Sequence, residues 1–312
     1  MDSIEAMELE IGYQLQELPK LIKPNKNNPY HCLFTGSGDS FVAGLVAHYV
    51  SKRRAITCGP VEFALNPCIA NKRQMYIISV SGRTKANVLS AKIARKHKIR
   101  TTAITTKPQS ILAKQCNDII ELSYKCTGTP TSGTIGFTSC LLSCVSLVSD
   151  VTDLNNIDKI YHQANVEAED FLQKHSMKTS SFIFLGNSVI FPIAIYGALK
   201  ANEVFGSKSY AYTVEEFCHS PVFSIRPGDN IVIFDIGDYG KKCTRFLYER
   251  LKINYPSFYI DLSSLTEMEA ILKSIFLVQF ITLKMAKRDG LKDCFFICNK
   301  DLLKLSSDLI YR

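Results

Sequence analysis

Two groups of residues in this sequence have types and spacings that suit chemistry. The first is Ser79-Val80-Ser81-Gly82-Arg83-Thr84, three hydroxyls and a glycine between an apolar run and a helical one. Hydroxyls donate to phosphate oxygens, and a helix start adds backbone N–H donors and a positive dipole end. One N-cap needs one hydroxyl and this loop carries three, so the residues favour a phosphate over a plain cap. A companion loop, Gly36-Ser37-Gly38-Asp39-Ser40, also precedes a helical pattern. It lacks a full G-x-G-x-x-G and a Walker lysine, and a tight strand-to-helix turn explains it as well.

The second group is an acid–base pair. Glu203 closes the apolar helical run Gly197-Ala198-Leu199-Lys200-Ala201-Asn202-Glu203, and His219 lies in Glu215-Glu216-Phe217-Cys218-His219-Ser220-Pro221. A histidine exchanges protons near neutrality, and a glutamate in a dry site can be tuned to the same range. Taken singly, Glu203 also fits a surface helix charge and His219 a turn residue before Pro221.

Elements must hold these groups in place. Apolar periodicity predicts an opening helix over 3–22, then a polar loop from Lys23 to Tyr30 with Pro24 and Pro29. Strands are expected at 31–35, 75–80, 101–105 and 118–122, with helices at 39–51, 84–97 and 135–149. After a polar connector from Ser149 to Lys159 and a helix over 158–174, the scheme repeats. Strands at 181–185, 208–212, 230–235 and 256–260 alternate with helices at 191–205, 214–218, 240–252 and 267–288. Alternating strands and helices imply parallel pairing, because parallel strands need a crossover. The halves match in the order of elements but not in residues; the openings Cys32–Gly36 and Phe182–Gly186 are the part that looks alike. The expected fold is α/β with two doubly wound parallel-sheet lobes, residues 1–150 and 151–312. The second lobe's loop, Asp235-Ile236-Gly237-Asp238-Tyr239-Gly240, is acidic and would repel phosphate, so one phosphate site per chain is expected.

Composition narrows the partners. Hydrophobic residues make up 46% and charged residues 21% of the 312, as in ordinary globular proteins. The net charge of +8 suits an anionic partner, but its basic residues are scattered, with short clusters such as Lys52-Arg53-Arg54. No zinc-finger spacing accompanies them, so a small anion is expected rather than nucleic acid. The 11 cysteines are odd in number and none stands in C-x-x-C spacing, which suggests free thiols in a reducing cytoplasm. Met1–Glu10 is acidic without a signal core, and no membrane span is expected. No ligand cluster points to a metal, and no cofactor is expected.

The motif Ser79–Thr84 resembles the S-x-S-G-x-T phosphate loop of the sugar-isomerase (SIS) domain family, and Gly38-Asp39-Ser40 resembles that family's first substrate loop. The resemblance covers most of residues 31–305 and implies two flavodoxin-like subdomains, each a three-layer α/β/α sandwich. It further implies that Ser40, Ser79, Ser81, Gly82 and Thr84 hold a sugar phosphate. Where relatives carry an acidic residue two positions after the threonine, this chain has Ala86. L-K-x-x-E followed by E-x-x-H-x-P resembles the isomerase half of glucosamine-6-phosphate synthase, archaeal glucosamine-6-phosphate deaminases and phosphoglucose/phosphomannose isomerases. By that resemblance Glu203 moves a proton between C1 and C2. His219 opens the sugar ring, often from the other subunit of a homodimer, and Lys200 lies near the sugar. A lysine of the C-terminal tail, Lys304 or else Lys300, reaches the substrate. Relatives also place Arg or Lys near the position of Ile135, which argues against a phosphoglucose/phosphomannose isomerase in particular. With no glutaminase domain ahead of it, the chain is expected to be a sugar-phosphate isomerase or an amino-sugar-phosphate deaminase. A non-catalytic sugar-phosphate sensor is the alternative; the Glu/His pair argues against it.

Overall fold

The computed structural model describes residues 1–21, 28–150, 154–174, 181–237 and 241–311. Most of the predicted loop from Lys23, part of the connector after Ser149, and Asp238-Tyr239-Gly240 lie outside the described residues.

In chain order the elements are α1 (Ser3–Leu21), β1 (Cys32–Thr35), α2 (Asp39–Val50), β2 (Ile56–Cys58), α3 (Pro60–Leu65), β3 (Gln74–Ile78) and α4 (Lys85–Lys96). Then come β4 (Thr101–Thr105), β5 (Asp118–Glu121), α5 (Ile135–Ser146), α6 (Ile157–Lys174), β6 (Phe182–Leu185), α7 (Phe191–Phe205), β7 (Tyr210–Tyr212) and α8 (Val214–His219). The chain continues through β8 (Asn230–Asp235), α9 (Lys241–Leu251), β9 (Ser257–Asp261) and α10 (Glu267–Arg288). It ends in α11 (Phe295–Cys298) and α12 (Lys300–Tyr311).

All pairings are parallel. One sheet runs β2-β1-β3-β4-β5 and the other β7-β6-β8-β9, so both start in the middle, step to one edge and return past the first strand. This is the flavodoxin-like order. Strands covered on both faces bury every residue, as β4 and β8 do: β8 carries the apolar run Ile231–Phe234 between Asn230 and Asp235, and β4 is mostly β-branched, with three threonines beside Ala103 and Ile104. The edge strand β5 instead alternates exposed and half-buried residues.

The first sheet packs one face, through Leu33, Met75, Ile77 and Ala103, on Phe63 of α3 and Val88, Ala91 and Ala94 of α4. Its other face carries Phe34 and Ile78, against which Gly44 of α2 lies so close that a side chain there would sit 2.9 Å from the Phe34 Cβ. The second sheet packs Ile183, Leu185, Ile231 and Ile233 on Val214, Phe217 and Leu251, and its opposite face carries a stack of Phe182, Phe184 and Phe171.

Packing divides the chain into two units that interleave in sequence. One comprises Met1–Leu15, Thr127–Thr134 and Asn155–Cys298; the other comprises Gln16–Cys126, Ile135–Leu154 and Asn299–Arg312. A cut at residue 150 follows the chain, whereas these units group segments that lie far apart in sequence, some of them joined by hydrogen bonds. Ser3 N, for example, donates to Asp293 at 2.9 Å, and Thr127 N to Glu10 at 3.1 Å.

Two segments differ from the sequence expectation. Between residues 51 and 75 the sequence predicts no element, yet β2 and α3 form there; they have three and six residues, too few for a period to register. The expected C-terminal tail is helix α12, whose Arg83-facing end places Tyr311 5.6 Å from that guanidinium. A third correction concerns membranes. The segment Ser188–Phe205 is long and apolar enough to cross one, with mean hydropathy 1.2, contrary to the expectation that no such run exists. It is 61% buried inside the protein and contains α7, which packs on β6 and α10, as a core helix does.

Candidate functional site

The hydroxyl loop sits at the carboxyl end of β3, where α/β sheets bind ligands. Ser79 continues the sheet by one bond, its N–H donating to Ile104 O at 3.0 Å. The chain then turns tightly, with Gly82 N–H donating to Ser79 O at 3.1 Å and to Ser79 Oγ at 3.2 Å. Gly82 has φ +61°, and a Cβ there would lie 2.1 Å from Ser110 Oγ, so both backbone and space demand glycine. The Val80 carbonyl is pinned by Thr105 Oγ1 at 3.1 Å and Thr106 Oγ1 at 2.9 Å. Arg83 N–H donates to Ser81 Oγ at 3.4 Å. Hydroxyls that accept from backbone N–H keep their own protons for a ligand. Thr84 is the N-cap of α4 in an extended conformation, but its hydroxyl makes no capping bond to the helix. Beside the loop a concavity of about 610 Å³ is lined by Ser81, Arg83, Lys107 and Ser110, among others. Ser40 is half-buried in the first turn of α2, its N–H donating to Ser37 O at 3.2 Å.

The other group is carried by α7, which opens with Pro192 in its first turn and ends at Gly206, φ +65°, in the left-handed C-terminal position that favours glycine. Lys200 and Glu203 are one turn apart on it. The Lys200 ammonium, fully buried, donates to Glu203 Oε2 at 2.6 Å and lies 5.3 Å from the centre of the Tyr196 ring. The Glu203 side chain remains 41% exposed. Ser132 Oγ donates to the same Oε2 at 2.7 Å. The lysine named from the sequence thus faces the glutamate named from the sequence. Its charge lies inside the protein, so its contact with a ligand would run through Glu203.

His219 ends α8. Its side chain is 71% exposed, and its described polar neighbour is Glu215, with Nε2 3.9 Å from Oε1. Lys304 and Lys300 are exposed on α12.

At the matching place in the second sheet, beyond β8, the buried Asp235 accepts from Gly237 N–H at 2.8 Å and from Tyr259 Oη at 2.5 Å. Burial, and then this bond to a carboxylate, push the Tyr259 phenol well above its ordinary pKa.

Sequence reasoning missed Ser132, Tyr196 and Glu10. Tyr196 Oη donates to Gly133 O at 2.7 Å, and the Glu10 carboxylate accepts from Thr127 Oγ1 and Thr134 Oγ1, each at 2.9 Å. The hydroxyl-rich run Thr127–Thr134 was the available signal.

No family model matches the chain. By sequence it is 26% identical over 227 residues to the glutamine–fructose-6-phosphate aminotransferase (isomerizing) of Pyrobaculum aerophilum, covering 66% of this chain and 38% of that protein. The chain therefore spans well under half the length of such relatives. Among solved structures it superposes on glucosamine-6-phosphate deaminase from Thermotoga maritima with TM-score 0.71 at 21% identity, over 92% of this chain and 96% of that one. It also superposes on the C-terminal domain of glucosamine-fructose-6-phosphate aminotransferase from Francisella tularensis, with TM-score 0.70 at 20% identity, over 94% and 95%. In sequence and in its two-sheet fold, the chain is similar to the sugar-isomerase (SIS) domain family.

Proposed function

We propose that the chain is a sugar-phosphate isomerase acting on a hexose 6-phosphate, either as an aldose–ketose isomerase or as an amino-sugar-phosphate deaminase. The single observation that carries this reading is Glu203, a half-exposed carboxylate held through one oxygen by a buried lysine and a buried serine. A sensor needs a phosphate loop but has no use for an oriented base. The phosphate is taken by Ser40, Ser79, Ser81, Gly82 and Thr84. His219 assists ring opening, and its exposure suits action on the sugar of a second copy in a homodimer. Glu203 removes the C2 proton of the open-chain aldose as the C1 carbonyl becomes an enediolate oxygen; the hydroxyl proton passes from O2 to O1, and Glu203 returns its proton to C1 as C2 becomes the carbonyl. The cation at Lys304 or Lys300 can stabilise the enediolate; Lys200 acts through its bond to Glu203. Similarity to an aminotransferase half and to a deaminase supports the substrate class.

The test is turnover of fructose 6-phosphate and glucosamine 6-phosphate by the purified chain, with ammonia measured alongside. Isomer formation without ammonia assigns an aldose–ketose isomerase, and ammonia release assigns a deaminase. Tight binding of both esters with no turnover would favour the sensor.

A further inference from the structure

We propose that Ser132 is a positioning residue for Glu203, fixing the plane of its carboxylate so that Oε1 is the oxygen that takes and returns the proton. The proposal rests on the isomerase reading above. Two donors meet at Oε2: the Lys200 ammonium at 2.6 Å and Ser132 Oγ at 2.7 Å. An ammonium is a compact charge with rotatable donors and sets little direction by itself. A second donor arriving from another segment removes the remaining rotation of the carboxylate. Among the described residues Oε1 has no hydrogen-bond partner, and the side chain is partly exposed, so that oxygen is the one a substrate can meet.

Such a device works only if Ser132 is itself immobile. It is fully buried, on a segment tied down along its length. At one end Thr127 N–H and Oγ1 donate to Glu10 Oε1 at 3.1 and 2.9 Å; at the other Thr134 Oγ1 donates to Glu10 Oε2 at 2.9 Å. Thr131 Oγ1 donates to Ser3 O at 2.9 Å. Next to Ser132, the Gly133 carbonyl accepts from Tyr196 Oη. Tyr196 Oη in turn accepts from Gln279 Nε2 at 3.0 Å, and Gln279 Oε1 from Gln14 Nε2 at 2.6 Å. This buried polar chain does more than satisfy its own members. It holds a serine against the one carboxylate that the proposed chemistry uses.

The experiment compares wild type, Ser132→Ala, Ser132→Thr and Glu203→Gln with fructose 6-phosphate and glucosamine 6-phosphate, alongside crystal structures of the two serine variants. Because a small misplacement of a reacting group can cost about 10²-fold, Ser132→Ala is expected to lower kcat by about 10- to 100-fold with KM nearly unchanged. Ser132→Thr, which keeps the hydroxyl, restores most of it, and melting temperatures stay close to wild type. A purely packing role would instead lower the melting temperature and leave the kcat-to-KM split unmoved. Full kcat in Ser132→Ala while Glu203→Gln is inactive overturns the positioning role and spares the isomerase reading. Full turnover in Glu203→Gln removes that reading. The crystals then decide the serine: several Glu203 rotamers in Ser132→Ala and one in Ser132→Thr uphold positioning, and one unchanged rotamer in both overturns it.

Discussion

The two sheets wind in the same order, yet the junctions after their third strands are built from opposite chemistry. After β3 the chain presents Ser79, Ser81 and Thr84, and their oxygens either accept from backbone N–H groups or make no cap. After β8 it presents Asp235, whose two oxygens are taken by Gly237 and Tyr259. One junction presents hydroxyls that accept from the backbone; the other ties both oxygens of a buried carboxylate into hydrogen bonds. Winding order supplies the crevice in both, and side-chain type decides whether an anion can enter it. The unit that holds the second sheet has its own use for charge on α7, where Lys200 and Ser132 converge on Glu203, rather than at the junction. The proposed function assigns phosphate binding to the first junction and proton transfer to Glu203.

The largest effect should separate those assignments. Glu203→Gln keeps shape and removes the base, so turnover is expected to fall by about 10²–10⁴-fold, with sugar-phosphate affinity measured by calorimetry nearly unchanged. Ser81→Ala is expected to do the reverse. A lost hydrogen bond to a charged group contributes about 1.5–3 kcal/mol, or roughly 10- to 150-fold in Kd, with kcat at saturation little altered. Equal losses of affinity in both variants would break the division between the two places.

Asp235→Ala probes the other side of the comparison. It removes the hydrogen-bond partner of the exposed Gly237 N–H and of the half-buried Tyr259 phenol, which costs about 1 kcal/mol of stability, and denaturant unfolding should show that loss while phosphate affinity stays the same. A change in phosphate affinity would mean that the second junction also meets ligand.

The smallest effect lies at the start of α10, where Thr266 and Glu269 form a capping box. The backbone N–H of Thr266, and then the Asn156 and Thr266 side chains, hold the Glu269 carboxyl below the usual carboxylate range. A lowered folded pKa adds stability that is complete above the unfolded value and is lost as pH falls through the folded one. Thr266→Ala is expected to cost about 1 kcal/mol near neutrality, and the difference from wild type should shrink in acid. A constant difference down to low pH would show that the carboxylate plays no part in the cap.

Much of this was legible in the sequence because strands buried on both faces leave short apolar or β-branched runs. The runs at 101–105 and 230–235 became β4 and β8 at those bounds, and the helix at 191–205 became α7. Ser79–Thr84 was readable because three hydroxyls exceed the needs of one cap. What escaped had no local signature. β2 and α3 are shorter than the period that would reveal them. Ser132 acquires its meaning from Glu203, 71 residues away, and Glu10 from Thr127 and Thr134, 117 and 124 residues away. Lys200 reads in sequence as a cation on a helix, and its full burial emerges only when α7 packs.

The most direct test of the contrast is a crystal of the protein soaked with fructose 6-phosphate. The account predicts phosphate density at the β3–α4 turn, within hydrogen-bond reach of the Ser79, Ser81 and Thr84 hydroxyls, and none beside Asp235. Phosphate bound away from that turn, with those three hydroxyls untouched, would contradict it.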